Sequence, residues 1–168
     1  SSQESVEINI PNSDGTLERY TVQESSNFAP ELQSKYPEIR SYKGIGITDK
    51  TATAYFSYSP QGMQTMVIRA DEDSEFIESY SKTKAVYKLI TSKNRSNSNM
   101  PVACSTEDVA LNSELQNKTN KVKANDKVFR TYRLALSCNA EYTNYYGGTV
   151  ANALAGMNAS MTRINGIL

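Results

Sequence analysis

Residues 51–69 read TATAYFSYSPQGMQTMVIR. The first eight are dominated by β-branched and aromatic side chains, which suit a pleated, half-buried surface. Pro60-Gln61-Gly62 supplies the fixed φ and the glycine of a tight turn, and residues 63–69 return as a second strand. The same pattern extends outward in both directions. Upstream, Val6-Glu7-Ile8-Asn9-Ile10 alternates apolar and polar residues, Asn12-Ser13-Asp14-Gly15 forms a turn, and residues 17–23 complete a hairpin. Residues 39–47, 76–80 and 85–91 add three more strands, seven in all. Between the second and third strands a short helix is predicted over residues 30–36. Asn27 is its expected cap, Pro30 lies in its first turn, and Pro37 stops it. The predicted fold is α+β, with an antiparallel, sheet-rich N-terminal domain over residues 3–92 carrying one short helix.

Beyond residue 92 the composition changes. Residues 93–99, KNRSNSN, contain no apolar side chain, and the chain stays polar to residue 127 apart from a weak helical patch over 106–115. A stretch this long without a strong pattern reads as a linker, residues 93–127. Residues 129–137, FRTYRLALS, are predicted as a strand buried on both faces near Leu134-Ala135-Leu136. Gly147-Gly148 breaks the chain and Thr149 is placed to cap a helix. Along it Val150, Leu154, Met157, Met161, Ile164 and Leu168 recur at steps of 4, 3, 4, 3 and 4. Packing on a sheet is the favoured role of this apolar stripe, and a partner helix is the alternative. Residues 128–168 then read as a βα unit that opens a second, incomplete α/β domain, since a parallel sheet needs a further crossover strand.

The 168 residues carry 18 Lys+Arg against 18 Asp+Glu, with no histidine and no tryptophan. Zero net charge argues against a nucleic-acid partner, whose affinity rests on basic side chains neutralising phosphates. Without histidine no Ser/His/Asp or Cys/His catalytic group is possible, and two cysteines cannot build a four-thiolate zinc site. No run approaches the length of an apolar membrane span. The chain begins Ser1-Ser2-Gln3 without an initiator Met, as expected of a processed product or a trimmed chain, in which any export signal would already be gone.

Other clusters have plain readings. The acidic run from Asp71 to Glu75 lacks the glycine and terminal glutamate of a calcium loop and reads as a solvated turn. Gly44-Ile45-Gly46 has neither a third glycine nor a following helix, so it is no phosphate loop. Glu75 and Glu78 show no spacing that marks a glycosidase pair. Tyr42, Tyr55, Phe56, Tyr58, Tyr80 and Tyr87 are candidates for an aromatic binding face, although strand propensity alone places such residues there. The sequons at Asn94, Asn117 and Asn158 are what a chain rich in Asn and Ser yields by chance.

Residues 28–42, FAPELQSKYPEIRSY, followed by residues 46–53, GITDKTAT, resemble the N-terminal prosegment of secreted bacterial zinc metalloproteases of the reprolysin (adamalysin-like) family. Residues 130–142, RTYRLALSCNAEY, with 147–155, GGTVANALA, and 161–167, MTRINGI, resemble the first strand and first helix of that family's catalytic domain. The likeness spans residues 20–168 and is weakest over the linker. It implies a prosegment that assists folding and maintains latency, a zinc ion in the remainder of the precursor, the catalytic domain as partner, and a processing protease acting at the linker. It also implies a secreted or cell-envelope location. Lys93, Arg95, Lys118, Lys121, Lys123 and Lys127 offer basic sites to a trypsin-like processor. This chain departs from the family in lacking the HExxHxxGxxH signature, and Tyr146 stands before Gly147-Gly148 where many members have His. No catalytic residue is therefore carried over.

Pro101-Val102-Ala103-Cys104 resembles the Pro-x-x-Cys of related precursors, in which a prosegment thiolate fills the open zinc position and displaces the hydrolytic water. Cys104 is thus a candidate latency ligand to the zinc of the missing domain. A disulfide between Cys104 and Cys138, or an inert thiol, stand beside that reading, and Cys138 at the end of a buried strand reads as a core cysteine. The alternative to the prosegment reading is a secreted or cell-surface β-rich binding or adhesion module. An independent enzyme ranks last.

Overall fold

The computed structural model describes residues 4–70, 72–80, 86–94 and 133–167. All seven strands form: β1 (Val6–Pro11), β2 (Leu17–Glu24), β3 (Arg40–Gly46), β4 (Thr53–Ser59), β5 (Gly62–Ile68), β6 (Glu75–Ser79) and β7 (Tyr87–Thr91). They build one antiparallel sheet in the order β1-β2-β3-β4-β5-β6-β7, each strand paired with its sequence neighbour. Every link except that between β2 and β3 is short, and such hairpins pair as soon as their turns close. The first helix, α1 (Pro30–Lys35), also forms with proline in its first turn. Its N-cap is Ala29, without a side-chain bond, so Asn27 does not cap it as predicted.

Register divides the side chains between two faces. Val22, Gly44, Ala54, Val67 and Glu75 lie opposite one another across β2–β6. Tyr42, Phe56, Thr65, Ile77 and Leu89 form the next row on that face. These rows belong to the hydrophobic core, with Ile10, Tyr20, Val22, Ala52, Ala54, Phe56, Val67 and Ile77 buried and Ile8, Tyr42, Met63 and Leu89 packed against them. The sheet is curled around this face. In a flat sheet β2 and β6 would stand about 19 Å apart, at about 4.8 Å per strand. Here the Arg69 guanidinium bonds a carboxylate from each: Nη2 donates to Glu18 of β2 at 2.6 Å and Nη1 to Glu75 of β6 at 2.9 Å. Gly44 leaves room for its neighbours on β2, since a Cβ there would stand 3.0 Å from Val22 Cγ2 and 3.4 Å from Tyr20 Cβ.

The chain resolves into two units, residues 1–96 with 138–168, and residues 97–137. Of the second unit, residues 133–137 are described, and they form neither helix nor strand. The predicted strand over 129–137 is therefore not formed in its described part. Leu134 and Leu136 are exposed rather than buried. A strand covered on both faces needs neighbours for its N–H and C=O groups, and every described strand pairing is taken within the meander. The predicted 106–115 patch lies outside the described residues.

In the first unit two more helices follow, α2 (Ala140–Tyr145) and α3 (Val150–Ile167). The sequence reading missed α2, although Asn139 caps it by accepting from the Tyr142 N–H at 2.9 Å. Thr149 caps α3 as predicted, its hydroxyl accepting from Asn152 N–H at 3.2 Å.

Candidate functional site

Helix α3 lies on the second face of the sheet, against β3, β4 and β5. The face it presents corrects the sequence expectation. Ala153, Ala155, Gly156, Asn158, Ala159 and Thr162 are its buried residues, whereas Val150 and Ile164 of the predicted stripe are exposed. The helix meets the sheet through small and polar side chains. The reason lies in the strands, whose second face offers Ser41, Ser57 and Ser59, all buried, where bulkier residues would hold a helix away.

One side chain organises the contact. Asn27 Nδ2 donates to Asn158 Oδ1 at 2.9 Å and to Thr162 Oγ1 at 2.9 Å, while Asn27 Oδ1 accepts from Asn165 Nδ2 at 2.8 Å. Positions 158, 162 and 165 share one helical face by their spacing of four and three. Asn158 Nδ2 also donates to the Arg40 carbonyl at 3.3 Å. At the N-terminal end, Gln61 Nε2 donates to the carbonyls of Tyr146 at 2.9 Å and Asn152 at 3.3 Å. Toward the other end, Arg163 Nη2 forms an ion pair with Glu78 Oε1 at 2.9 Å, with its guanidinium 5.5 Å from the Phe76 ring centre. Gly166 seats against Met66 and Tyr55, where a Cβ would come within 2.7 and 2.8 Å of their side chains. The Tyr146 ring covers Gly156 in the same manner. Burial, then a hydrogen bond with Tyr142, pushes the Tyr146 hydroxyl up to about 12.

A second charged cluster sits on the curled face. Arg69 is 4% exposed and faces Glu18, Glu75, Asp49 at 3.5 Å and Glu72 at 3.6 Å. Tyr20 and Asn12 donate to Glu18 at 2.7 and 3.0 Å, and the Ser13 N–H donates to Glu75 at 2.7 Å. Burial raises the Glu18 pKa, but the hydrogen bonds from Tyr20, Asn12 and Arg69 outweigh it and leave Glu18 below the usual carboxylate range. Asp49 is also lowered, chiefly by hydrogen bonds from Thr51. Beside this cluster an open depression of about 520 Å³ is lined by Ser13, Ala70, Glu72, Asp73, Glu75 and Thr91. The contacts tie β2 and β6 to the turns around Asn12, Asp49 and Glu72, so the cluster is a structural clasp. Among the described residues no group of three or more His, Cys, Asp or Glu side chains is placed to hold a metal ion.

The remaining predicted residues scatter. Cys104 lies outside the described residues, as do Arg95, Lys118, Lys121, Lys123, Lys127, Asn117 and Asp71. Cys138 is exposed, with Sγ 3.6 Å from Thr143 Oγ1, so it is no core cysteine. Lys93 is exposed in a short turn, Ser92–Asn94. Asn158 is buried in the α3 contact, which closes that sequon. The six aromatics do not form one surface: register puts Tyr42, Phe56, Tyr58 and Tyr87 on the core face and Tyr55 on the other. Tyr42 and Phe56 stack at 4.9 Å within the core.

Comparison with family models, with curated proteins and with solved structures gives no match for this chain.

Proposed function

We propose that this chain is the prosegment region of a secreted zinc metalloendopeptidase precursor, and that its sheet holds the opening helix of the protease region. The observation that supports this reading is the seat of α3. The helix that resembles the start of a protease domain rests on a sheet that resembles a prosegment, through small and polar contacts such as Asn27 with Asn158, Thr162 and Asn165. The helix brings only small and polar side chains to this interface, which suits a holder that must later let go. Along the apolar stripe of α3, Val150 and Ile164 are exposed and Leu154, Met157 and Met161 half-buried, which suits a helix that has further protein to pack against.

On this reading the chain performs no catalysis itself. Zinc and its ligands belong to the remainder of the precursor, and Cys104 supplies the latency thiolate from the linker. Cleavage within residues 93–127 separates prosegment from protease. Expressing the precursor and sequencing the N-terminus of the mature enzyme tests this. A terminus within or just after the linker is expected, and one upstream of residue 90 overturns the reading. Cys104→Ala should relieve inhibition if the thiolate occupies the zinc. Binding to an unrelated cell-surface ligand with no effect on proteolysis would point instead to an adhesion module.

A further inference from the structure

We infer that the second face of β3–β5 is a helix-binding site in its own right, able to keep hold of residues 138–168 after the chain between them is cut. The inference rests on the prosegment reading for its biological setting, while the binding is a property of this chain alone.

Four observations carry it. The main hydrophobic cluster of the sheet lies on the opposite face, from Ile10 and Tyr20 through Phe56 to Ile77, while α3 covers the buried Met66 and Phe76 on the second face. No side chain of α3 belongs to that cluster, so the sheet keeps its principal core when the helix leaves. The contacts are specific rather than merely greasy. Asn27 engages three helix positions, 158, 162 and 165, Gln61 engages carbonyls at the helix start, and Glu78 faces Arg163.

Shape selects as well. The buried Ala155 and Ala159, with Gly166 against Tyr55 and Met66, admit a helix only where it is narrow. The ligand class follows: an amphipathic α-helix with Ala or Gly where it touches the sheet, a carboxamide or hydroxyl at i, i+4 and i+7, and an arginine one residue after the second of these. Finally, the seat is incompletely satisfied. Arg163 Nε is buried without a hydrogen-bond partner among the described residues, a feature that permanent cores avoid. Such a contact holds a tethered helix well and a free one reversibly, since tethering raises effective concentration.

The experiment starts from the folded full chain. Limited cleavage with a trypsin-like protease is followed by native size-exclusion chromatography, and fragment masses assign the cut to residues 93–127. The two pieces should elute together at the position of the intact 18.6 kDa chain. Asn27→Ala and Gly166→Leu, each first shown by circular dichroism to keep the sheet, should lose the C-terminal piece about tenfold faster, the scale set by losing even one or two hydrogen bonds. Separation of the wild-type pieces on first passage overturns the inference, and so does co-elution of both variants indistinguishable from wild type. Neither outcome touches where the mature enzyme begins, so failure here and failure of the prosegment reading are told apart.

Discussion

Arg69 shows how one side chain shapes this sheet. It is the buried cation where β2, β5 and β6 converge, and its partners Glu18 and Glu75 are themselves largely buried. Burial lowers its pKa, but the hydrogen bonds it donates to Glu75 and Glu18 win and raise it, so it stays charged at any working pH. Removing it leaves two carboxylates without a counter-charge in a place that water reaches poorly. Arg69→Ala should therefore cost about 3–5 kcal/mol, the range for breaking one side of a buried pair, read as a lower urea midpoint. Replacing Arg69, Glu18 and Glu75 together by Met, Gln and Gln should cost less than Arg69→Ala alone. A larger loss in the triple variant would show that the charges themselves, rather than their mutual satisfaction, hold the curl.

The same cluster sets an acid limit. Glu18 is lowered in the folded state, so its contribution is fully present above its unfolded value of about 4.3 and is lost as pH falls through the lower folded value. Asp49 acts in the same direction. With no histidine in the chain, the denaturation midpoint should change little between about pH 6 and about pH 8, and should fall steeply below about pH 4. Glu18→Gln should flatten that fall, and an unchanged acid limb would assign it to other carboxylates.

Helix α3 illustrates how an element can be foreseen and its orientation missed. Its existence and its Thr149 cap were legible, because an apolar period of three and four plus a capping hydroxyl mark a helix whatever it packs against. Its docking face was not. The weight given to Val150, Leu154, Met157, Met161 and Ile164 concealed a second stripe at the same spacing, Ala155, Asn158, Ala159, Thr162 and Gly166. That stripe wins because Ser41, Ser57 and Ser59 leave a shallow seat for small side chains, and because Asn27 rewards carboxamides there. Gly166→Val should lift the helix end from Tyr55 and Met66 and cost about 1–3 kcal/mol, the usual range for overpacking, with sheet circular dichroism preserved. Val150→Ala, on the exposed side, should cost less than about 0.5 kcal/mol.

Taken as a whole, the molecule places its stability unevenly. The meander closes on its own core, while α3 adds a contact of small and polar side chains outside it. Native-state hydrogen exchange should find the slowest amides in β2–β5, with the α3 amides opening at lower free energy in a separate step. Equal protection in both would mean that helix and sheet unfold as one cooperative unit.

The strand count, the antiparallel sheet and the first helix could be read from the chain alone, because alternation, turn residues and proline act locally. Turn chemistry around Pro60-Gln61-Gly62 needs no distant partner to do its work. What depended on residues far apart could not be read that way. The Arg69 clasp joins Glu18 to Glu75 across 57 positions of sequence, the Asn27 latch reaches Asn165 across 138, and Leu134 and Leu136 stay exposed despite a strand-like pattern. Composition can say that a residue is able to bond or to be buried. Only the curl of the sheet decides which distant group arrives to meet it.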